Sequence, residues 1–212
     1  METLFTTSLA ATMLLVALYA TTRMRLGSLV SAFRLQSVLL ALLAFSVAYY
    51  SGERQLIFVA VLILVIKAGL IPTYLLQVAR ASAASERLSS YVKPTTLALL
   101  GGSVILLAFA AAQRLSMGSD YIILASSLSI VLLGLILLVS RKDMFGQGIG
   151  FFIMENGIFT FGLALTHGMP FLFEIGSLFD LMAFFILITV FTRRAQDEHA
   201  SVETDMLRTL ID

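Results

Sequence analysis

The sequence contains no cysteine. That removes disulfides, cysteine-ligated iron–sulfur clusters and thiol catalysis, and says nothing of redox compartment. Histidine is nearly missing as well. The two present, His167 and His199, fall in connecting or tail segments, so a haem or zinc site built on histidine pairs inside a helix bundle is excluded. Charge is scarce. Only 13% of the 212 residues are Asp, Glu, Lys or Arg, and the formal net charge is +1. A balance so close to zero gives no case for nucleic acid or for a strongly anionic partner. No Ser–His–Asp grouping, metal-ligand cluster or phosphate loop stands in the chain. The Gly146-x-Gly148-x-Gly150 run follows no strand and lies inside an apolar stretch. It is read as small residues that let helices approach closely, not as a nucleotide loop.

What the chain has in place of these is apolar length. It is 59% hydrophobic, with a mean hydropathy of +0.97. Apolar runs of about twenty residues recur, the length a helix needs to cross the hydrocarbon core of a bilayer. A soluble domain of this size would show charged faces between its apolar stripes. The expected fold is an all-α, polytopic integral membrane protein with about seven transmembrane helices. The spans are expected at about 4–22, 27–50, 55–79, 94–112, 120–140, 144–166 and 170–192, with a polar tail over 193–212. The first span opens with Met1-Glu2 and meets Arg23 and Arg25 only afterwards, opposite to a signal peptide, so it is expected to be a retained helix. Pro94 opens the fourth span, where proline costs a helix nothing. Tyr49-Tyr50 closes the second as an interfacial aromatic pair. The segment from Arg80 to Lys93, rich in Ser and Ala, reads as the longest loop.

Basic residues orient these spans. Alternate connections on one side hold Arg23, Arg25, Arg80, Arg87, Lys93, Arg141, Lys142, Arg193 and Arg194, while the other side holds Arg54 and Arg114. Nine against two is a positive-inside asymmetry. It puts the N-terminus outside and the C-terminal tail in the cytoplasm, in the cell's inner membrane.

Four ionisable residues interrupt the apolar runs in ways that need an account. Lys67 lies about twelve residues from each end of its span, too deep for its stem to carry the ammonium to water. It requires a carboxylate partner, a wet cavity or a neutral state. Pro72 follows it, removes the bond that would run to the carbonyl of Ala68, and is expected to kink the helix. Glu155 lies about eleven residues from each end of the sixth span, and Asp180 about ten from the start of the seventh. Lys67, Glu155 and Asp180 therefore share one depth on three helices, which suggests a row along the membrane. The plainer reading is that Lys67 neutralises one acid for helix packing. Two deep acids and one deep base leave that reading with an acid over. Glu174, one turn after Pro170, fits an outer vestibule or a solvated cap equally well. Asn156, Thr160 and Gln147 add uncharged polar groups to the helix of Glu155, and Arg34 lies close enough to a helix end to snorkel.

With these residues in view, the chain resembles the hydrogenase-4 component E family (HyfE), a membrane subunit of complex-I-like, group 4 hydrogenase and formate hydrogenlyase assemblies. The resemblance rests on Glu155-Asn156-Gly157-Ile158-Phe159, on Gly168-Met169-Pro170 with Glu174, on Leu178-Phe179-Asp180-Leu181-Met182, and on the stretch from Lys67 to Pro72. The last two spans are more distantly similar to the small K-type subunit of complex I (NuoK-like) and to the C subunit of Mrp antiporters (MrpC-like). In the K-type subunit the second of two intramembrane glutamates stands as far before an arginine pair as Asp180 stands before Arg193-Arg194. The first is matched less closely: aligning Ile149-Gly150 puts Phe152 at the acid's place, with Glu155 one turn later.

The resemblance implies a non-catalytic subunit without a cofactor or metal of its own. Its implied partners are antiporter-like proton-pumping subunits, a membrane anchor subunit and a peripheral arm holding nickel–iron and iron–sulfur centres. Its own contribution would be a path for protons or sodium ions through Lys67, Glu155 and Asp180, with Glu174 near the outer surface. Two other readings stand beside it: a scaffold that joins pumping subunits without conducting ions, and a free-standing ion transporter.

Overall fold

The computed structural model describes residues 2–81, 86–115 and 121–166, and all of their regular structure is helical. Helix α1 runs Glu2–Thr22 and α2 Leu26–Ser51. The third rod is continuous but composite: α3 (Arg54–Leu62), an eight-residue π-helical stretch (Ile63–Leu70) and α4 (Ile71–Ala81). Then come α5 (Pro94–Leu115), α6 (Tyr121–Ser140) and α7 (Met144–Thr166). The expected spans over 4–22, 27–50, 55–79, 94–112, 120–140 and 144–166 each fall on one of these rods. The seventh span and the tail, with Glu174 and Asp180, lie outside the described residues. Five of the rods are long and apolar enough to cross a membrane; α7 is as long, but carries Gln147, Glu155 and Asn156 along its interior.

Local chemistry sets the helix ends. Gly52 closes α2 at φ 75°, in the left-handed region, and its N–H bonds to the Ala48 carbonyl at 3.0 Å. A side chain there would be strained, so glycine is the residue that lets the chain reverse into α3. Pro94 sits at the first position of α5, where its missing N–H is no loss. Asp143 caps α7: its Oδ1 accepts the Gly146 N–H at 2.6 Å.

Bilayer-spanning helices gain little from burying apolar surface against each other, since lipid is as apolar as leucine. Their association rests on close packing and on polar contacts. Among the described helices the closest pair is α6 and α7, and glycines make it so. A Cβ on Gly150 would lie 2.5 Å from the backbone nitrogen of Leu138, and one on Gly157 2.6 Å from that of Val131. On the opposite face a Cβ on Gly134 would run into the Met154 backbone. The expectation of close approach at the glycine run thus holds at Gly150. Gly146 does something else: it makes room for the Arg141 side chain and for Asp143. Phe33 of α2 stacks on Phe152 of α7, ring centroids 5.3 Å apart, in a core made with Met13, Leu29, Leu40 and Leu133. Helix α5 is peripheral and leaves Leu99, Leu106 and Leu107 exposed.

The stretch read as the longest loop is more ordered than its composition suggests. Residues 86–93 form a strap across one end of the bundle. Leu88 N–H bonds to the Met24 carbonyl at 2.8 Å, Leu26 N–H to Glu86, Tyr91 N–H to Ser140, and Lys142 N–H to Ser89. Short bridges pair Arg25 with Arg87 and Ser90 with Arg141. This end therefore gathers the α1–α2 turn, the strap and the α6–α7 turn, and with them Arg23, Arg25, Arg87, Arg141 and Lys142.

Candidate functional site

Among the described residues, a fully buried polar group forms where the π-helical stretch, α2 and α7 meet. Lys67 lies on the π stretch near the middle of its rod and is fully buried. Its Nζ is 3.3 Å from Glu155 Oε2 and donates to Asn156 Oδ1 at 3.0 Å. The Phe159 ring lies under the ammonium, 6.0 Å from its centroid. Glu155 is 6% exposed and Asn156 not at all. A charge left alone at this depth costs about 3 kcal/mol on insertion scales. Pairing each with the other offsets that cost.

The local sequence explains the wide turn. Pro72 has no N–H to give, so the turn before it lacks its regular donor. The bond from Ile71 N–H to the Ile66 carbonyl spans five residues, the π spacing, where an α-helix spans four. Thr73, just past the proline, turns its hydroxyl back onto the carbonyls of Gly69 and Leu70. The sequence pattern located the disturbance at Ala68 as a kink. The structure spreads it over Ile63–Leu70 as a widened helix with Lys67 inside it.

Asn156 connects this pair to the rest of the bundle. Its Nδ2 donates to Gln36 Oε1 at 3.2 Å and to Ser37 Oγ at 3.4 Å, both on α2. Gln36 Nε2 in turn donates to the Met13 carbonyl of α1 at 3.4 Å. A carbonyl can only accept, so the order of donors along this chain is fixed from its far end. Met13 O takes the Gln36 amide N–H. Gln36 then offers its oxygen to Asn156, and Asn156 offers its own oxygen to Lys67. The lattice is thereby built to receive a cation at its π-helical end. Thr160, one turn on, spends its hydroxyl on the Asn156 carbonyl at 2.8 Å.

Of the residues singled out in the sequence, Lys67 and Glu155 are brought into direct contact, Pro72 is buried beside the π stretch, and Asn156 and Thr160 belong to the same lattice. Asp180 and Glu174 fall outside the described residues. Gln147 is elsewhere, its Nε2 donating to the Arg141 carbonyl at 3.0 Å. Arg34 is exposed on the outer face of α2, as a snorkelling residue would be. Phe152, at the acid's place in the K-type alignment, is fully buried against Phe33. Glu155, one turn further, is the acid that faces Lys67.

Three functional-looking residues escaped the sequence reading. Gln36 and Ser37 are fully buried polar residues inside an apolar span, and the depth argument applied to charges would have found Gln36 had it been applied to amides. The third is Arg141, read only as a boundary mark. It is fully buried, and its Nη2 donates to the carbonyls of Thr21 (3.2 Å) and Arg23 (2.5 Å) while Nη1 reaches Met24 Sδ. Burial pushes its guanidinium down from the ordinary value and Asp143 draws it back up; arginine stays charged under both influences.

The chain is 30% identical over 165 residues to the uncharacterized protein Rv0085 of Mycobacterium tuberculosis, an alignment covering 76% of this chain and 75% of that one. No protein-family model matches the chain. No solved structure matches it.

Proposed function

The chain belongs to one family with the mycobacterial protein Rv0085, and we propose that it is a non-catalytic membrane subunit of a complex-I-like, group 4 hydrogenase or formate hydrogenlyase-type assembly, in which its buried charges form part of a proton or sodium path. One observation carries this reading: an ion pair and its amide ligand, Lys67, Glu155 and Asn156, enclosed near the middle of spanning helices on a π-helical turn. Intramembrane ionisable residues of this kind mark ion pathways, and π turns inside helices are frequent at functional sites. The resemblance to the component E family supports the partners: antiporter-like pumping subunits, a membrane anchor, and a peripheral nickel–iron arm driven by redox chemistry.

The path works by exchange of partners. A proton arriving at the Glu155 carboxylate removes the charge that Lys67 pairs with. The ammonium then rests on Asn156 Oδ1, and the second carboxylate that this reading assigns to the path is Asp180. Glu174 serves as the outer station. In this reading the rod count completes to seven with 170–192. The gathering of Arg23, Arg25, Arg87, Arg141 and Lys142 at one end supports placing that end in the cytoplasm, with the N-terminus outside and the protein in the inner membrane.

The test begins with a mild-detergent pull-down of the tagged chain. Antiporter-like subunits and a nickel–iron arm are the expected companions. In the purified complex, reconstituted in liposomes, Glu155→Gln and Asp180→Asn are expected to leave assembly intact and abolish coupled ion translocation. Normal translocation in both variants would sink the path. The enclosure of Lys67 between Glu155 and Asn156 also suits a scaffold whose charges are paired statically. Under that reading the same variants lose assembly instead. A chain that purifies alone and moves ions would make it a free-standing transporter.

A further inference from the structure

The net charge of +1 conceals a local excess of arginine at one end of the bundle. Between the start of α2, the end of α4 and the strap lies a cavity of about 580 Å³, lined by Arg25, Leu26, Leu76, Ala79, Arg80 and Glu86. Gly27 and Ser28 also line it, and the same two residues line a second cavity of about 680 Å³ that runs between α1 and α2 toward the membrane interior. The two adjoin at Gly27 and Ser28, the first a basic mouth and the second an apolar groove. Leu15, Val16, Ala32 and Leu35 wall the apolar part. Two of its hydroxyls are spent on their own helices: Thr12 donates to the Ser8 carbonyl at 2.7 Å and Ser31 to the Gly27 carbonyl at 2.8 Å. Nothing lies within 4 Å of where a Cβ on Gly27 would stand, so the passage from mouth to groove is open. Arg23 stands over the Tyr19 ring at 4.0 Å, and Tyr19 is a wall of the same groove. Among the described residues Glu86 is the acid lining the mouth, against Arg25 and Arg80, with Arg23 flanking and Arg87 at the neighbouring recess.

A cation cluster at the interfacial end of a helix pair, continuous with an apolar cleft that faces the bilayer, matches an anionic lipid in both parts. A free phosphate would use only the mouth, and an uncharged lipid only the groove. We propose that the chain holds one anionic glycerophospholipid, its phosphodiester between Arg25 and Arg80 and an acyl chain along the α1–α2 groove. The site is separate from the Lys67 group and does not depend on the role assigned to it.

Retention of lipid by the purified full chain tests this. The protein is equilibrated in micelles with equal phosphatidylglycerol and phosphatidylcholine, and bound lipid is counted by native mass spectrometry. Wild type is expected to retain phosphatidylglycerol in preference. The pair Arg25→Gln with Arg80→Gln removes two headgroup charges and should lower that preference at least about tenfold. Gly27→Leu fills the passage with both arginines in place and should lower it too. Arg54→Gln, at the other end of the bundle, should behave as wild type, and melting curves confirm that each variant is folded. Equal retention of the two lipids by wild type overturns the proposal, as does an unchanged preference in the double arginine variant. So does full displacement of phosphatidylglycerol by millimolar inorganic phosphate together with an unaffected Gly27→Leu, the result of a bare anion site.

Discussion

Two cations are fully buried among the described residues, Lys67 and Arg141, and they are held in opposite ways. Lys67 is gripped by side chains from another helix, a carboxylate and an amide. Arg141 is gripped mainly by main-chain carbonyls of the α1–α2 turn, with Met24 sulfur beside them. A carbonyl cannot titrate or swing away, and the planar guanidinium suits two acceptors at fixed positions. The Arg141 end is thus a rivet: three connections meet there and the charge has nowhere to go. The Lys67 centre can change. Its acid partner is a titratable side chain, its amide partner is a rotatable one, and its own helix is wound in the π form. The first arrangement suits permanence and the second suits exchange.

The difference is broken most severely at the rivet. Arg141→Ala leaves the Thr21 and Arg23 carbonyls without their charged donor and unlocks the turn, the strap and the start of α7 together. We expect a loss of about 3–5 kcal/mol, read as a fall in melting temperature in detergent. Arg141→Lys should recover little, because a single ammonium does not reproduce the fork. Full recovery by lysine would mean that charge alone is required there.

At the exchangeable centre a cycle is the sharper tool. Lys67→Met removes the ammonium that faces Glu155 and should destabilise by about 3 kcal/mol. Glu155→Gln on that background should restore part of the loss, giving a coupling of about 1–3 kcal/mol. A zero coupling energy would show that the two do not act as a pair. If the double variant recovers stability but lacks the ion translocation proposed above, holding the fold and the proposed path are separable roles of the same pair.

Glycine supplies a further contrast, between the tight α6–α7 seam and peripheral α5. Gly150→Ala drives a methyl against the Leu138 backbone and should cost about 1–3 kcal/mol. Gly102→Ala on α5 meets nothing within 4 Å and should stabilise by up to about 1 kcal/mol through helix propensity. Opposite signs in thermal unfolding are expected. Matching signs would contradict the seam.

How much of this was legible in the sequence depended on what each signal measures. Apolar run length reports helix ends and depth, so the rods over 4–22 and 144–166 and the shared depth of Lys67 and Glu155 were readable. Depth does not report azimuth, so their adjacency was not. Pro72 announced a disturbed helix, but a kink and a π stretch share that signature and differ only in which carbonyl each N–H finds. Arg141 looked like a boundary residue because Lys142 and Asp143 follow it. Nothing in a one-dimensional pattern tells a snorkelling arginine from one folded inward onto a neighbouring turn. The strap was hidden likewise, its Ser and Leu residues being ordinary loop residues until their backbone pairs with Met24 and Ser140.

The smallest expected effect probes how far the exchangeable centre reaches. Gln36 touches neither ion in the contacts above; it acts by orienting Asn156. Gln36→Leu removes the acceptor that holds Asn156 Nδ2, leaving Ser37 Oγ at 3.4 Å as its partner on α2. Intramembrane side-chain hydrogen bonds average about 0.6 kcal/mol, so stability should fall by about that amount, little above the error of a melting curve. Orientation is the better readout. With Gln36 in place the Asn156 amide is held at both ends, its oxygen by Lys67 and its Nδ2 by Gln36; without it the Nδ2 end keeps the longer Ser37 contact and the side chain gains rotational freedom. An Asn156 side-chain amide signal, assigned by comparison with Asn156→Asp, should broaden or split in solid-state NMR of Gln36→Leu while that of Gln36→Glu, which keeps an acceptor, stays single. A sharp, unshifted signal in Gln36→Leu would show that Lys67 alone sets the amide. The lattice through α2 to α1 would then be packing, and the exchangeable centre would end at Asn156.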